Sequence, residues 1–592
     1  MSNLMDWVMG TGPSPFAGLF SEGLTKRSNT PSGAYDQIMH ADTRASDQLN
    51  RLWVVDRILE PQTVAHFLAF AISGELLSGN QTSLPLLAEE QDYIAIPMTE
   101  WAPQPYSDQE MSILQSIMQA IGSYEDPSRL VPISKELHAM KSRIWEGIMP
   151  LSERRWTELN LDSPDQFHEA CQFISAVTDV FNYLNIPEIK NNMRQTYNLI
   201  WDRLDNFDSA IHALKLDSTN PDFSMAALWH EFIDNHFNSI SSVSHRWVMD
   251  HIDRLRAPIL DILSQDTDMS GFDLHEAYGE SLADLIHDLH EGAAQADSAI
   301  FIPMDGYRGA SLPSQDHVSG NSSERYRKDP IEFSASTDKR KADYYFRVRY
   351  LSHMNSFKME SLLDNSIARN ANDQIRAEIQ ARQELRGDPK PLGVPRWVSQ
   401  ARQYLKHGSP VHWGYIGFRT YYNHTDQEWE QFKANFQADI SNWGNELGDI
   451  DDIRAISVVE WRDVKDAASG SFDGVTEAEK EFTTLLNDES FMQRFNEEVY
   501  LVADKAVIDS YLRADTASPC HIMAVEAGFN AEEEDLSESP GYEGWLRLKG
   551  SLLWDDLSAL MMMQTQSTID LWPLAKDDPE KVYRHPLGSV SG

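Results

Sequence analysis

VHWGYIGFRTYYNHTDQEWEQF, residues 411–432, is the stretch on which the fold turns. Its first half is a strand-like run of aromatic and small residues carrying one arginine, Arg419. Its second half begins at Thr425 or Asp426, with acid in the first turn, and reads as an amphipathic helix carrying Trp429. The chain beyond it repeats the alternation: IRAISVVEW (453–461) is a second strand and AEKEFTTLLNDESFMQRF (478–495) an inserted helix. EVYLVAD (498–504) is a third strand, DKAVIDSYLR (504–513) a short helix and CHIMAVEA (520–527) a fourth strand. With the insert set aside the order is β-α-β-β-α-β, so the spacing predicts a ferredoxin-like α+β domain over 406–592. An acidic loop, NAEEEDLSESPGYEG (530–544), and a closing helix, SLLWDDLSALMMMQ (551–564), complete it.

Upstream the period changes to that of helices. SPDQFHEACQFISAVTDVFNYLN (163–185) opens with Ser163 at the cap and Pro164 in the first turn, and a second helix starts at Pro187. In the segment 224–263, residues Leu228, Phe232, Ile240, Val243, Trp247, Ile252, Leu255, Ile259 and Leu263 recur at steps of three and four, a long apolar stripe interrupted at Pro258. The expected architecture is a flexible arm (1–45), a helical bundle domain (46–302), a linker and mildly basic connecting region (303–405), and the ferredoxin-like domain. Within 46–120, LNRLWVVDRIL (49–59) has a helical pattern and YIAIPMTEW (93–101) that of a strand. In the connecting region DYYFRVRYLSH (343–353) has the alternation of a strand and SIARNANDQIRAEIQARQELRG (366–387) reads as an exposed helix.

Composition bounds the function. The chain has 592 residues, with 92 Asp and Glu against 50 Lys and Arg, a formal charge of −42. Nucleic-acid binding rests on cationic neutralisation of phosphates, so this field disfavours a generic DNA or RNA partner, short of a local basic patch, and opposes anionic membranes. The two cysteines, Cys171 and Cys520, lie far apart in sequence, as suits a reducing compartment, and no apolar run approaches the roughly 20 residues of a membrane span. The expected location is cytoplasmic. Residues 323–390 reverse the balance with fourteen Lys/Arg against eleven Asp/Glu, a stretch suited to docking on the acidic remainder, with a site for an anionic ligand as the alternative.

Trp413, Gly414, Arg419 and Thr420, followed by an acid and Trp429, resemble a motif of uncharacterised proteins common in filamentous fungi, in which a strand of the type WGF-apolar-apolar-Y-R-T precedes a helix bearing Trp. The resemblance continues through Asp504, the acidic loop at Glu532 to Glu534, and GWLRL (544–548), and covers roughly 410–590. Gly417 departs from it, standing where a larger apolar residue is usual. The resemblance implies a fungal source and carries no activity or cofactor with it.

Candidate sites are few. In DLIHDLHEG (284–292), His287, His290 and Glu291 share an arc of about 100° on a helix, an arrangement able to hold a divalent ion, against the plainer reading of a solvated acidic face. In WHEFIDNHF (229–237), His230 and Asp234 sit one turn apart as a candidate acid–base pair, against the plainer reading of intrahelical ion pairs. Arg419 has two readings. It pairs with an acid from a neighbouring strand, Glu460 or Asp504, or it offers a guanidinium to an anionic ligand framed by Trp413, Tyr415 and Trp461. No phosphate-binding glycine loop, nucleophile elbow or C-x-x-C is present, and no cofactor is expected. The resulting expectation is a binding or interaction protein, with a protein partner or self-association possible. An enzyme with its site in the helical half and a self-assembling shell or scaffold are the alternatives.

Overall fold

The structure is a computed structural model that describes residues 53–76, 79–88, 90–123, 126–163, 166–214, 223–264, 282–310, 377, 395–407, 413–444, 447, 450–464, 474–487, 494–513, 519–532, 534–576 and 578–587. In chain order its main elements are β1 (Trp53–Arg57), α1 (Gln62–Ser73), α2 (Ile113–Ile121), β2 (Leu130–Ser134), α3 (Lys135–Trp145), α4 (Phe167–Leu184), α5 (Pro187–Leu214), α6 (Met225–Ser264) and α7 (Leu282–Ala299). They continue with α8 (Arg396–His407), β3 (Tyr415–Arg419), α9 (Asp426–Ser441), β4 (Val459–Asp463), α10 (Gly474–Leu485), β5 (Val499–Ala503), α11 (Lys505–Leu512), β6 (His521–Glu526), β7 (Trp545–Lys549), α12 (Thr568–Ala575) and β8 (Val582–Tyr583). No helix among the described residues is long and apolar enough to cross a membrane.

Two compact units emerge, and neither is a single stretch of chain. One takes the described residues of 1–69, 122–155 and 393–592, the other those of 70–121 and 156–392. The division drawn from composition, at 302/303 and 405/406, is contiguous and so differs from this one. The expected arm, the strand at 343–353 and most of the helix at 366–387 lie outside the described residues.

In the α/β unit the six strands form one mixed sheet in the order β4-β3-β5-β6-β7-β8. β3 runs parallel to both neighbours, with Gly417 opposite Trp461 on β4 and Leu501 on β5. β5–β6 and β6–β7 are antiparallel, and β8 returns parallel to β7. The ferredoxin-like order is not confirmed. That arrangement alternates direction between neighbours, whereas here the first two strands of the βαβ unit lie side by side and parallel. The reason is written in the strands: YIGFR and VYLVA are buried at every position, as in a parallel sheet covered on both faces, with none of the alternation of a sheet that has one wet face.

Helices supply both covers. Trp461 lies flat on Gly417 beneath Trp429, Phe432 and Phe436 of α9, and Tyr511 of α11 packs on the same two phenylalanines. On the opposite face Phe482 of α10 meets Tyr500, which also meets Phe418. The crossover through α9 leads from β3 to one side and the crossover through α10 leads back past β3 to the other, each on its own face, as right-handed connections require. α9 begins with a full capping box, Thr425 and Glu428 exchanging bonds with each other's backbone, and α11 is capped by Asp504 Oδ1 on Val507 N at 2.7 Å.

Ahead of this sheet, β1 and β2 pair antiparallel as a ribbon. LNRLWVVDRIL therefore contains a strand where the pattern predicts a helix, because Val54 and Asp56 alternate into the interior while Val55 faces out. The reverse holds for YIAIPMTEW, which forms two single-turn helices, Gln91–Ile94 and Met98–Trp101, separated at Pro97.

The helical unit matches its pattern more closely. α4, α5, α6 and α7 pack as neighbours, and α2 lies on α5. Of the long stripe on α6, Leu228, Phe232, Ile240, Trp247, Ile252 and Leu255 are buried, and Pro258 sits inside the helix. α5 starts at Pro187 as expected, while α4 starts at Phe167, after Gln166, rather than at Ser163.

Candidate functional site

The residues singled out in the sequence do not meet in one place. His230 and Asp234 both lie on α6, but they form no pair: Asp234 Oδ2 accepts from Asn238 at 3.2 Å, and His230 Nδ1 is 2.9 Å from Tyr197 Oη of α5. Tyr197 spends its hydroxyl proton on Arg308 O at 3.0 Å, so the His230 ring donates to it. The same segment is tied down by Asn198, which bonds Gly306 O and Arg308 N, and by Arg308 to Asp202 at 2.9 Å. Gly309 at φ 81° brings its backbone against the His230 ring, where a Cβ would come within 3.1 Å. Burial lowers the pKa of His230 against the pull of Asp234 and Glu231. His230 thus clasps the 301–310 segment to the bundle. His287, His290 and Glu291 fall on α7, but their side chains lie outside the described residues. Among the described residues no group of three metal-ligating side chains is assembled.

Arg419 pairs with neither Glu460 nor Asp504. Its guanidinium stands 4.8 Å from the Trp429 ring and 4.9 Å from the Tyr422 ring, and donates to Tyr421 O at 3.2 Å and His424 O at 3.3 Å. Glu460 bonds Arg462 instead, and Asp504 caps α11. The framing aromatics are core: Trp413 stacks on Trp397 and donates to Ser457 Oγ, Tyr415 bonds Ser558 Oγ, and Trp461 lies under α9. Arg419 organises the turn 420–425 that leaves β3.

In an open α/β sheet, ligands bind outside the carboxyl ends of the strands at the point where the strand order reverses. Here that point lies between the ends of β3 and β5. Polar groups collect at it. His424 Nε2 is 2.9 Å from Asp509 Oδ1, Lys505 pairs with the same carboxylate, and Tyr421 stands edge-on to the His424 ring. Burial would raise the Asp509 pKa, but Lys505 and His424 hold it below the usual range. Asp504 Oδ2 faces Arg547 of β7 at 3.6 Å. Since β6 runs against β5, with Val502 opposite Met523, His521 at the start of β6 lies at this same end. Burial lowers its pKa, which favours the neutral ring.

Two other buried charge clusters lie in this unit, and the first is a closed structure. Lys141 points its ammonium at Asp56 Oδ1 (2.8 Å), Glu60 Oε1 (2.7 Å) and Arg57 O (2.8 Å), so all three protons are used. Burial opposes that charge, and the two carboxylates more than offset it, raising the Lys141 pKa. Arg143 forms a two-pronged pair with Asp556 at 2.8 and 3.1 Å, with Tyr583 Oη alongside. Cys520 is half-buried, its pKa raised by burial, and it donates to Ser510 O, which suits a packed thiol rather than a nucleophile.

Compared with protein-family models, with curated proteins and with solved structures, the chain matches none.

Proposed function

We propose that the chain is a binding protein whose α/β unit holds a small polar ligand at the carboxyl ends of β3 and β5, between the turn 420–425 and the start of α11. The observation that carries this reading is the strand order: β4 and β5 flank β3, both parallel to it, and the order reverses between β3 and β5, the chain leaving β3 for β4 on one side and β5 for β6 on the other. The polar set gathered there, His424, Asp504, Lys505 and Asp509, supplies donors and acceptors on an otherwise apolar sheet. The acidic balance of the whole chain supports a small molecule over a nucleic acid. A fungal source is part of the same proposal and rests on the motif from Trp413 to Trp429.

The test is hydrogen–deuterium exchange on the full chain with adenosine monophosphate, glucose, myo-inositol, citrate and spermidine as probes. A binder is expected to protect 420–425 and 503–510, with binding weakened in Lys505→Ala. Protection confined to the helical unit, indifference to Lys505→Ala, or no binding by any probe refutes the reading.

A further inference from the structure

Three polar atoms near the start of β6 have no hydrogen-bond partner among the described residues: His521 Nε2, Arg547 Nε and Glu580 Oε2. Leaving a buried polar atom unpaired costs about as much as losing a hydrogen bond, so a cluster of them marks a place built for something more. The three belong together. Arg547 stands opposite Met523 in the β6–β7 register, which puts it on the same face as His521 and two residues along. His521 lies within electrostatic reach of Arg547, Glu580 and Asp504.

Their chemistry selects the ligand. His521 is 3% exposed, and its Nδ1 is 3.3 Å from Pro519 O. A carbonyl can only accept, so Nδ1 carries the proton and Nε2 presents a lone pair. Glu580 Oε2 likewise only accepts, its other oxygen facing Arg513 at 3.6 Å, while Arg547 Nε only donates. A phosphate or carboxylate accepts and would confront Asp504 and Glu580; an ammonium donates and would confront Arg547, Arg513 and Lys549, which stands opposite His521 in the register. A hydroxyl donates and accepts at once. Trp545, half-buried, has the Arg547 guanidinium over its ring at 5.4 Å and Trp572 edge-on at 5.9 Å, which holds the arginine in place.

We infer that the ligand is a neutral polyol, a sugar or cyclitol, with hydroxyls donating to His521 Nε2 and Glu580 Oε2 and one accepting from Arg547 Nε. This deepens the binding reading above and rests on it. Calorimetric titration of the full chain uses myo-inositol and glucose as probes against citrate and spermidine, with His521→Phe and Arg547→Met as variants. At least one polyol should bind and protect 519–526 and 545–549 from exchange, and each substitution should weaken that binding by about tenfold or more. Arg547 is partly exposed, so Arg547→Met keeps the test valid if His521→Phe fails to fold. Polyol binding unchanged in Arg547→Met, binding by neither polyol, or citrate or spermidine bound in their place overturns the inference. Citrate or spermidine protecting 420–425 and 503–510 would leave the binding reading standing and remove only the ligand class.

Discussion

Gly417→Ala tests whether the sheet is assembled as described. A Cβ at this position would lie 2.5 Å and 2.6 Å from Trp461 Cε3 and Cζ3 and 2.9 Å from Cδ2. Ordinary carbon contacts are about 3.5–4.0 Å, so the indole must retreat by about 1 Å. It cannot do so cheaply, because Trp429, Phe432 and Phe436 meet it edge-on with centroids 5.5, 5.4 and 5.4 Å away. Overpacking of this kind costs about 1–3 kcal/mol, and a flat ring backed by three others belongs at the upper end. Loss of glycine's unfolded-state freedom returns roughly 0.4–1 kcal/mol, leaving a net destabilisation of about 2 kcal/mol. Urea unfolding of the full chain, followed by circular dichroism, reads this directly. Trp461→Leu removes the obstructing ring, so the cost of the alanine should shrink in that background, and the two substitutions should be clearly non-additive. A change within about 0.5 kcal/mol for Gly417→Ala alone, or simple additivity, refutes the packing argument.

Two further outcomes arise from buried charge. Lys141→Met removes the ammonium shared by the carboxylates of Asp56 (0% exposed) and Glu60 (4%), leaving Asp56 with His138 at 3.0 Å, and should destabilise by about 3–5 kcal/mol; adding Asp56→Asn and Glu60→Gln should recover part of the loss, and a single-variant cost below about 1 kcal/mol contradicts the closed cluster. His585 is pushed by burial, and by the neighbouring Arg155 and Arg584, from 6.5 down to about 4. Between those values the unfolded imidazole binds a proton that the folded one refuses, so stability falls as pH drops through this window, by about 3 kcal/mol in all. His585→Gln should flatten that part of the stability–pH curve, and an unchanged slope speaks against the assignment.

Local order was legible in the sequence to the extent that local chemistry determines it. Thr425 and Glu428 spell a capping box, and α9 starts where they place it; EVYLVAD ends in the aspartate that caps α11. Strand order was not legible, because it depends on which apolar runs lie side by side. The one available clue, the absence of alternation in YIGFR and VYLVA, points to a parallel sheet and outweighs the element order that suggested a ferredoxin-like one. The candidate site inherits that dependence: His424, Lys505 and His521 look ordinary until β3 and β5 become neighbours and β6 turns back beside them. Gly417, which looks like a departure from the fungal pattern, is explained by the same pairing, since the space it leaves is filled by Trp461 across the β3–β4 register. WVVDR misled for a different reason, as five residues are too few to separate a ribbon strand from one face of a helix.

The Arg143–Asp556 pair joins residues 413 positions apart within one unit. During synthesis the early ribbon and α3 must therefore wait, with Lys135, Arg143 and Arg155 already made, until the chain has reached Asp556, Asp570 and Arg584 to receive them. The intervening helical bundle is complete in sequence well before that moment. Ribosome-bound chains halted near residue 400 should accordingly carry a protease-resistant helical unit and a still-cleavable ribbon. A fragment starting at residue 393, though it contains the whole six-stranded sheet, should be born with Asp556 buried and its counter-charge missing.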